Sequence, residues 1–150
     1  MDIIISCKRV KVKRDSIKGV IAKILKNLDC PDNAEISILF TDNDFIRELN
    51  KRYLKKDRPT DVLSFPMDSV RGKNGSRFTV HGSRYLLGDI VISVEKAKEQ
   101  AKSMNVPMDM EIKRLLIHGI LHLFGYEHEK GGIKAKKMKR EEERLICDRT

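Results

Sequence analysis

Residues 118 to 128 place three of the chain's four histidines in one short segment, His-Gly-Ile-Leu-His-Leu-Phe-Gly-Tyr-Glu-His. His118 and His122 are four residues apart, so on a helix both rings project from one face, about one turn apart. Gly125 can adopt the left-handed conformation that ends a helix, after which the chain can turn back and bring His128 to the same point. The segment therefore predicts a helix and a tight turn whose three imidazoles converge on one metal ion.

The type of ligand indicates which metal and what kind of site to expect. Three neutral imidazoles leave the fourth position of a tetrahedral zinc ion open to water, whereas structural zinc sites are normally closed by four protein ligands. Zinc is favoured over magnesium because imidazole is a poor ligand for hard cations. We therefore predict one catalytic zinc ion on His118, His122 and His128. His81, far away in a Gly and Ser context, is interpreted as a surface histidine, the alternative being a fourth ligand.

The same spacing, HxxxHxxGxxH, is the skeleton of the metzincin peptidase motif, which has a glutamate directly after its first histidine. Here that position is Gly119. The missing carboxylate is the usual general base of peptide hydrolysis, so an ordinary metalloprotease is not expected. A metal-activated water without that base suits hydrolysis of a phosphodiester or another ester.

Composition favours one globular domain over residues 1–150. Hydrophobic residues make up 40% and charged residues 35% of the chain, which is ordinary for a globular protein of this size. The formal net charge of +9 favours polyanionic partners such as RNA, although solvated lysines alone would give the same excess.

The cysteines and the apolar stretches indicate where in the cell the protein is located. Three cysteines without a CxxC pair indicate neither a disulfide framework nor a thiolate zinc site, so a reducing cytoplasm fits best. The longest mainly apolar stretch, Leu115 to Phe124, contains two histidines and is too short to span a membrane. We expect a cytoplasmic protein without a membrane segment.

Extended and helical patterns alternate along the chain, which predicts an α+β or α/β domain. Gly88, inside a predicted strand, marks a bulge or a close backbone approach. The charges of the last helix are interpreted as a solvated face without an assigned function. The predicted strands cover 2–7, 35–40, 62–65 and 86–93, residues 71–76 form a loop, and helices run from a Ser16 cap to Pro31, from a Thr41 or Asp42 cap to Pro59, over 94–104, from Pro107, and over 133–146.

Three segments resemble one known family, the YbeY endoribonucleases, cytoplasmic metal-dependent enzymes linked to maturation and quality control of ribosomal RNA. His118 to His128 resembles the hallmark HGxLHLxGYDH. Leu49 to Pro66 resembles LNxxYRxxDxPTDVLSFP, and Leu87 to Ser93 resembles LGDIVIS. With Glu111 and the region of Met138 and Glu142, the resemblance extends over about residues 42 to 146.

The resemblance implies an α+β domain in which a small mixed sheet packs with helices. It also implies zinc on the three histidines and single-stranded RNA as substrate, with ribosomal RNA or the small ribosomal subunit as partner. Against these implications stand two alternatives, a hydrolase of another ester or amide and a non-catalytic zinc-stabilised RNA-binding or ribosome-assembly factor. The RNA sequence and the oligomeric state stay open.

The chain departs from the family at two positions. Leu54 follows Tyr53 where the family usually has arginine, and Lys55, Lys56 or Arg58 could replace its charge. Lysine would preserve charge better than geometry, because it lacks the bidentate fork of guanidinium. Further basic residues that could hold an RNA backbone are Arg71, Lys73, Arg77 and Arg84.

The second departure is Glu127, which stands where the family has aspartate before the third histidine. Its carboxylate is a candidate for support of a ligand or for proton transfer. Glu111, two helical turns before His118, is the other catalytic candidate, the alternative being a solvated glutamate at the start of a helix. The short polar residues of the matched segments, which more often cap turns than catalyse, are Asp61, Ser64 and Asp89.

Overall fold

The computed structural model describes residues 1–67, 79–81, 84–126 and 132–147. Within these ranges the chain forms five strands and five helices. In chain order they are β1 (Asp2–Cys7), α1 (Arg14–Asn27), β2 (Ala34–Thr41), α2 (Asn43–Leu54), β3 (Val62–Pro66), β4 (Thr79–His81), β5 (Arg84–Ser93), α3 (Val94–Met104), α4 (Met108–Leu123) and α5 (Gly132–Cys147).

The strands form one mixed sheet in the order β1-β2-β5-β3, with β4 also paired to β5. β1, β2 and β5 are parallel, whereas β3 and β4 run antiparallel to β5. β3 pairs with the second half of β5, and β4 pairs with its first half. The α+β fold with a small mixed sheet is thus confirmed. β4, three residues long, was not predicted.

Gly88 lies at a bulge in β5, as predicted. The register between β2 and β5 shifts there, since Glu35 pairs with Leu86 while Ile36 pairs with Gly88. The φ of Gly88 is +135°, and a Cβ at this position would lie 2.3 Å from the carbonyl oxygen of Phe65. Only glycine allows β3 to approach β5 this closely.

Helix α4 lies at the centre of the main core. It is buried on most of its circumference and packs against β3, β5, α1, α3 and α5. Ile90 of β5 and Ile21 of α1 belong to the same core, while α2 covers part of the opposite sheet face with Ile46. No helix within the described ranges combines the length and the apolar surface needed to cross a bilayer.

Both boundaries of α1 differ from the predictions. α1 begins at Arg14 without a side-chain cap, not at a Ser16 cap, and it ends at Asn27, before Pro31. The chain reverses at Asp29, whose φ is +54°, so the proline is not needed to end the helix. α2 has the predicted Asp42 cap, whose carboxylate accepts a hydrogen bond from the Phe45 amide at 2.9 Å.

α2 ends at Leu54 rather than at Pro59. Lys55 is left-handed with a φ of +61°, and the Lys56 amide donates to the Asn50 carbonyl at 3.2 Å. This reversal at the C-terminus of α2 leaves residues 55–61 as a connecting segment before β3, which we call the 55–61 segment.

Candidate metal centre and cleft

His118 and His122 bring their Nε2 atoms together on one side of α4. These two atoms are 3.1 Å apart, and the rings meet edge to face at 76°. Two imidazoles bound to one tetrahedral zinc ion at 2.0–2.1 Å would place their nitrogens about 3.3 Å apart. The pair therefore fits a shared zinc ion with little adjustment.

The turn after α4 has the predicted form. Gly125 has a φ of +93°, its amide donates to the His122 carbonyl at 3.0 Å, and the Tyr126 amide donates to the Leu121 carbonyl at 3.0 Å. This double hydrogen bond is the Schellman ending of a helix, in which glycine takes the left-handed position. The turn redirects the chain immediately after the second histidine.

His128 and Glu127 lie outside the described residues, so the third ligand and the second catalytic candidate stay predictions. Among the side chains that the structure describes, no group of three His, Cys, Asp or Glu is placed to share an ion. The structure thus brings together two of the three predicted ligands.

Gly119 faces the sheet rather than the metal centre. The Ser64 hydroxyl donates a hydrogen bond to the Gly119 carbonyl at 3.1 Å. A Cβ on Gly119 would lie 3.0 Å from Cγ2 of Ile90 and 3.3 Å from the Ser64 oxygen. A glutamate here would be driven into packed side chains, so the peptidase base is excluded by the contact between α4 and the sheet.

The histidine pair opens into a cleft of about 540 Å³ between α4 and the 55–61 segment. Both histidines contribute to its wall, as does Tyr126 just after the turn. The other lining residues are Asn50, Leu54, Lys56, Arg58, Pro59, Thr60, Asp61, Val62, Leu63, Ser64 and Pro66. Much of the second motif, found by sequence far from the histidines, thus lies opposite them.

The cationic candidates separate into groups. Lys56 and Arg58 line the cleft together with Leu54, the position at which the family has arginine, whereas Lys55 is not among the lining residues. Arg71 and Lys73 lie outside the described residues, so their contact with RNA stays a prediction. Two cations therefore line the same cleft as the leucine that stands at the arginine position of the family motif.

Hydrogen bonds to α2 hold these two cations in place. Asn50 is 2% exposed, and its amide group donates to the Arg58 carbonyl at 2.9 Å. Arg47 donates to the Asp57 carboxylate at 2.8 Å, and this hydrogen bond lowers the pKa of Asp57 below its ordinary value. The 55–61 segment is thus attached to α2 at Asp57 and at Arg58.

Glu111 is 1% exposed, so the interpretation as a solvated glutamate is wrong. Its carboxylate accepts a hydrogen bond from Nε of Arg114 at 2.5 Å, and Arg114 also donates to Gln100 at 3.4 Å. Gln100 in turn donates to the cleft residue Asp61 at 3.2 Å. Glu111 itself is not among the lining residues, and its catalytic role stays a prediction.

The short polar residues have mainly structural contacts. Asp61 accepts a hydrogen bond from the Val62 amide at 2.8 Å, which begins β3 as a turn-capping aspartate would. Ser64 bonds α4, as described above. Asp89 lines a separate cavity on the opposite side of the sheet, together with Ser37, and is remote from the histidines.

Glu142 lies within the resemblance but was assigned no role from the sequence, and its Oε2 lies 3.7 Å from Nδ1 of His118. α5 was interpreted as a helix with a solvated face and no function. The available signal was helical spacing, because Met138 and Leu145, both buried, place Glu142 on the same side of α5 at i, i+4 and i+7.

The chain is similar to known proteins over nearly its whole length. The family model of endoribonuclease YbeY matches residues 2–149. The chain is 44% identical to the endoribonuclease YbeY of Aquifex aeolicus over 137 residues, which cover 91% of this chain and 84% of the relative. It is 46% identical to that of Persephonella marina over 127 residues, covering 85% and 77%.

A solved structure shares the fold as well as the sequence similarity. The solution structure of TM1509 from Thermotoga maritima superposes with a TM-score of 0.65 at 27% identity, covering 96% of this chain and 86% of that one. The match of a family model over nearly the whole length and relatives well above 30% identity lead to one conclusion. The chain belongs to the endoribonuclease YbeY family.

Proposed function

We propose that this protein is a zinc-dependent endoribonuclease that cleaves single-stranded RNA in the maturation and quality control of ribosomal RNA. The observation that carries the proposal is the convergence of the Nε2 atoms of His118 and His122, 3.1 Å apart, at the wall of a cleft that also contains cations. His128 is the proposed third ligand. The proposed location is the cytoplasm, with ribosomal RNA or the small ribosomal subunit as partner.

The side chains of the cleft would have different roles in such a reaction. Lys56 and Arg58 would bind phosphates on either side of the scissile bond, and the guanidinium of Arg58 can do so through two hydrogen bonds. Tyr126 offers a ring against which a base could stack. Bound zinc supplies a Lewis acid for the phosphate and lowers the pKa of a water to about 7.

Single-stranded RNA suits an open cleft in which the 55–61 segment is attached to α2. Its bases can turn away from the backbone, so one phosphate can reach the histidines at the cleft wall. Contacts from Lys56 and Arg58 to phosphates carry no sequence information. We therefore propose that the choice of cleavage site comes from the partner ribosome.

The test is cleavage of an unstructured RNA by protein that has been stripped with a chelator and reloaded with zinc. We expect reloading to restore cleavage and His118→Ala to lower it at least 100-fold with RNA affinity nearly unchanged. His81→Ala is the matched control, and its full activity would also exclude His81 as a fourth ligand. Equal cleavage by the His118 variant would show a contaminating nuclease and contradict the proposal.

Circular dichroism of the stripped protein shows whether zinc is needed for folding or only for catalysis. Because α4 is anchored by an extensive apolar core, we expect the stripped protein to stay folded. Unfolding on chelation would instead favour the zinc-stabilised binding factor over the enzyme.

A further inference from the structure

Glu142 is a carboxylate on the core-facing side of α5. Met138 and Leu145, on the same side of the helix, are both buried, and the side chain of Glu142 is 20% exposed. An ionised carboxylate in such a position loses much of its hydration and needs a polar partner. The partner that α4 presents to it is the ring of His118.

The two nitrogens of the His118 ring face different groups. Nε2 lies toward Nε2 of His122, at 3.1 Å, and Nδ1 lies 3.7 Å from Oε2 of Glu142. A histidine that binds a metal through Nε2 carries its proton on Nδ1, where it can donate to an acceptor. The distance of 3.7 Å is longer than a hydrogen bond, and a small rotation of the glutamate side chain closes it.

α5 is held on both neighbouring helices at the level of Glu142. Nζ of Lys113 in α4 donates to the carbonyl of Ile146 at 3.3 Å. Arg144 donates to the carbonyl of Asn27 at the end of α1, also at 3.3 Å. Together with the buried Met138 and Leu145, these contacts fix the helix that carries the carboxylate.

We infer that Glu142 is a positioning residue that accepts the Nδ1 proton of His118 and so orients Nε2 toward the metal. The inference rests on the proposed function, since it assumes a metal on His118. It makes α5, the helix that follows α4 along the chain, part of the metal centre. A carboxylate paired with a ligating histidine fixes the ring orientation and makes the imidazole a stronger ligand.

The experiment measures zinc affinity by competition with a chromogenic chelator for wild type, Glu142→Gln, Glu142→Asp and Glu143→Gln. Glu143→Gln is the matched control, one position along the same helix but exposed. We expect Glu142→Gln to weaken zinc binding about 10- to 100-fold, the usual effect of losing such a partner. Glu142→Asp should recover part of the affinity, and Glu143→Gln should leave it unchanged.

Thermal unfolding of the chelated proteins distinguishes positioning from a merely structural role. Replacing a half-buried carboxylate with the neutral isostere should leave the melting temperature unchanged or raise it, while zinc affinity falls. Wild-type protein that binds zinc with the same affinity as Glu142→Gln overturns the role of Glu142 and leaves the proposed function intact. Wild-type protein that binds no zinc overturns both.

Discussion

The Ser64 hydroxyl of β3 donates a hydrogen bond to the carbonyl of Gly119 in α4, 3.1 Å away. This contact joins the strand that follows the 55–61 segment to the helix that carries His118 and His122. It requires α4 to approach the sheet so closely that a side chain on Gly119 has no space. One residue therefore explains both the close packing of the cleft walls and the missing peptidase glutamate.

Substitution of Gly119 with alanine should destabilise the protein by about 1–2 kcal/mol. The new Cβ would lie 3.0 Å from the fully buried Ile90, and the cost of overpacking exceeds the gain of about 1 kcal/mol for alanine in a helix. Gly19→Ala in α1 is the control, because a Cβ there meets nothing within 4 Å and should stabilise by about 1 kcal/mol. Urea unfolding measures both, and equal shifts of the same sign would contradict the packing argument.

Replacing Arg114 with methionine should cost about 3 kcal/mol of stability, because it leaves the buried Glu111 carboxylate unpaired. The estimate is at the lower end for broken buried pairs, since the side chain of Arg114 is 40% exposed. Arg144→Met is the control. It breaks an i,i+3 pair of the same 2.5 Å length and a hydrogen bond to the Asn27 carbonyl, both on the surface, and should cost about 1 kcal/mol or less.

Glu111→Gln tests the catalytic prediction for the same residue. Since its carboxylate contacts Arg114 rather than the cleft, we expect the folded variant to retain cleavage within about threefold. A folded Glu111→Gln protein that has lost cleavage at least 100-fold would instead support the catalytic role predicted from the sequence.

These cases show which features the sequence could predict. The end of α4 at Gly125 and the shared face of His118 and His122 depend on residues within one or two turns, so the local pattern was sufficient. The burial of Glu111 depends on the packing of α4 against other elements such as α3, whose Gln100 accepts a hydrogen bond from Arg114. Contacts between helices of this kind leave no signal in the local sequence pattern.

The cleft was only partly predictable for the same reason. The motif around Pro59 gave its residues, but the chain reversal at the left-handed Lys55, after which Lys56 and Arg58 rather than Lys55 line the cleft, has no sequence signal of its own. Glu142 was hidden because α5 is rich in charge, although its spacing from Met138 and Leu145 carried a signal. β4 was not predicted because three residues are too few to show an alternating pattern.

Removal of the charge of Arg58 should weaken binding of single-stranded RNA about 10-fold and reduce the slope of log affinity against log salt by about 1, as expected for one lost phosphate contact. Arg58 lines the cleft, while nearby Lys55 does not. Arg58→Gln and Lys55→Gln change the net charge equally. Fluorescence anisotropy at several salt concentrations therefore shows whether RNA affinity depends on the position of the cation in the cleft or only on the net charge. Equal losses in the two variants would show a diffuse electrostatic effect instead.

Cys30 should resist alkylation in the native protein. Burial raises the pKa of its thiol from 9.0 to about 11, which leaves very little thiolate at pH 8, whereas Cys147 is exposed at the end of α5. Mass spectrometry after brief iodoacetamide treatment should find Cys147 modified and Cys30 intact. Rapid modification of Cys30 without denaturant would contradict this burial.

The raised pKa of Cys30 also predicts how stability depends on pH. The unfolded chain loses the thiol proton near pH 9 and the folded chain near pH 11. The stability that the buried, protonated thiol contributes is therefore complete below pH 9 and is lost as the pH rises to about 11. The free energy of unfolding should therefore fall more steeply over this range in wild type than in Cys30→Ala. Parallel pH profiles would exclude the effect.

X-ray absorption spectroscopy of the zinc-loaded protein shows whether three histidines hold one zinc ion at the wall of the cleft. We expect one zinc per chain with three imidazole nitrogens and one oxygen at about 2.0–2.1 Å. His122→Ala should lose the bound ion or one imidazole. Zinc bound through sulfur at about 2.3 Å, or a zinc signal unchanged in His122→Ala, would contradict this coordination.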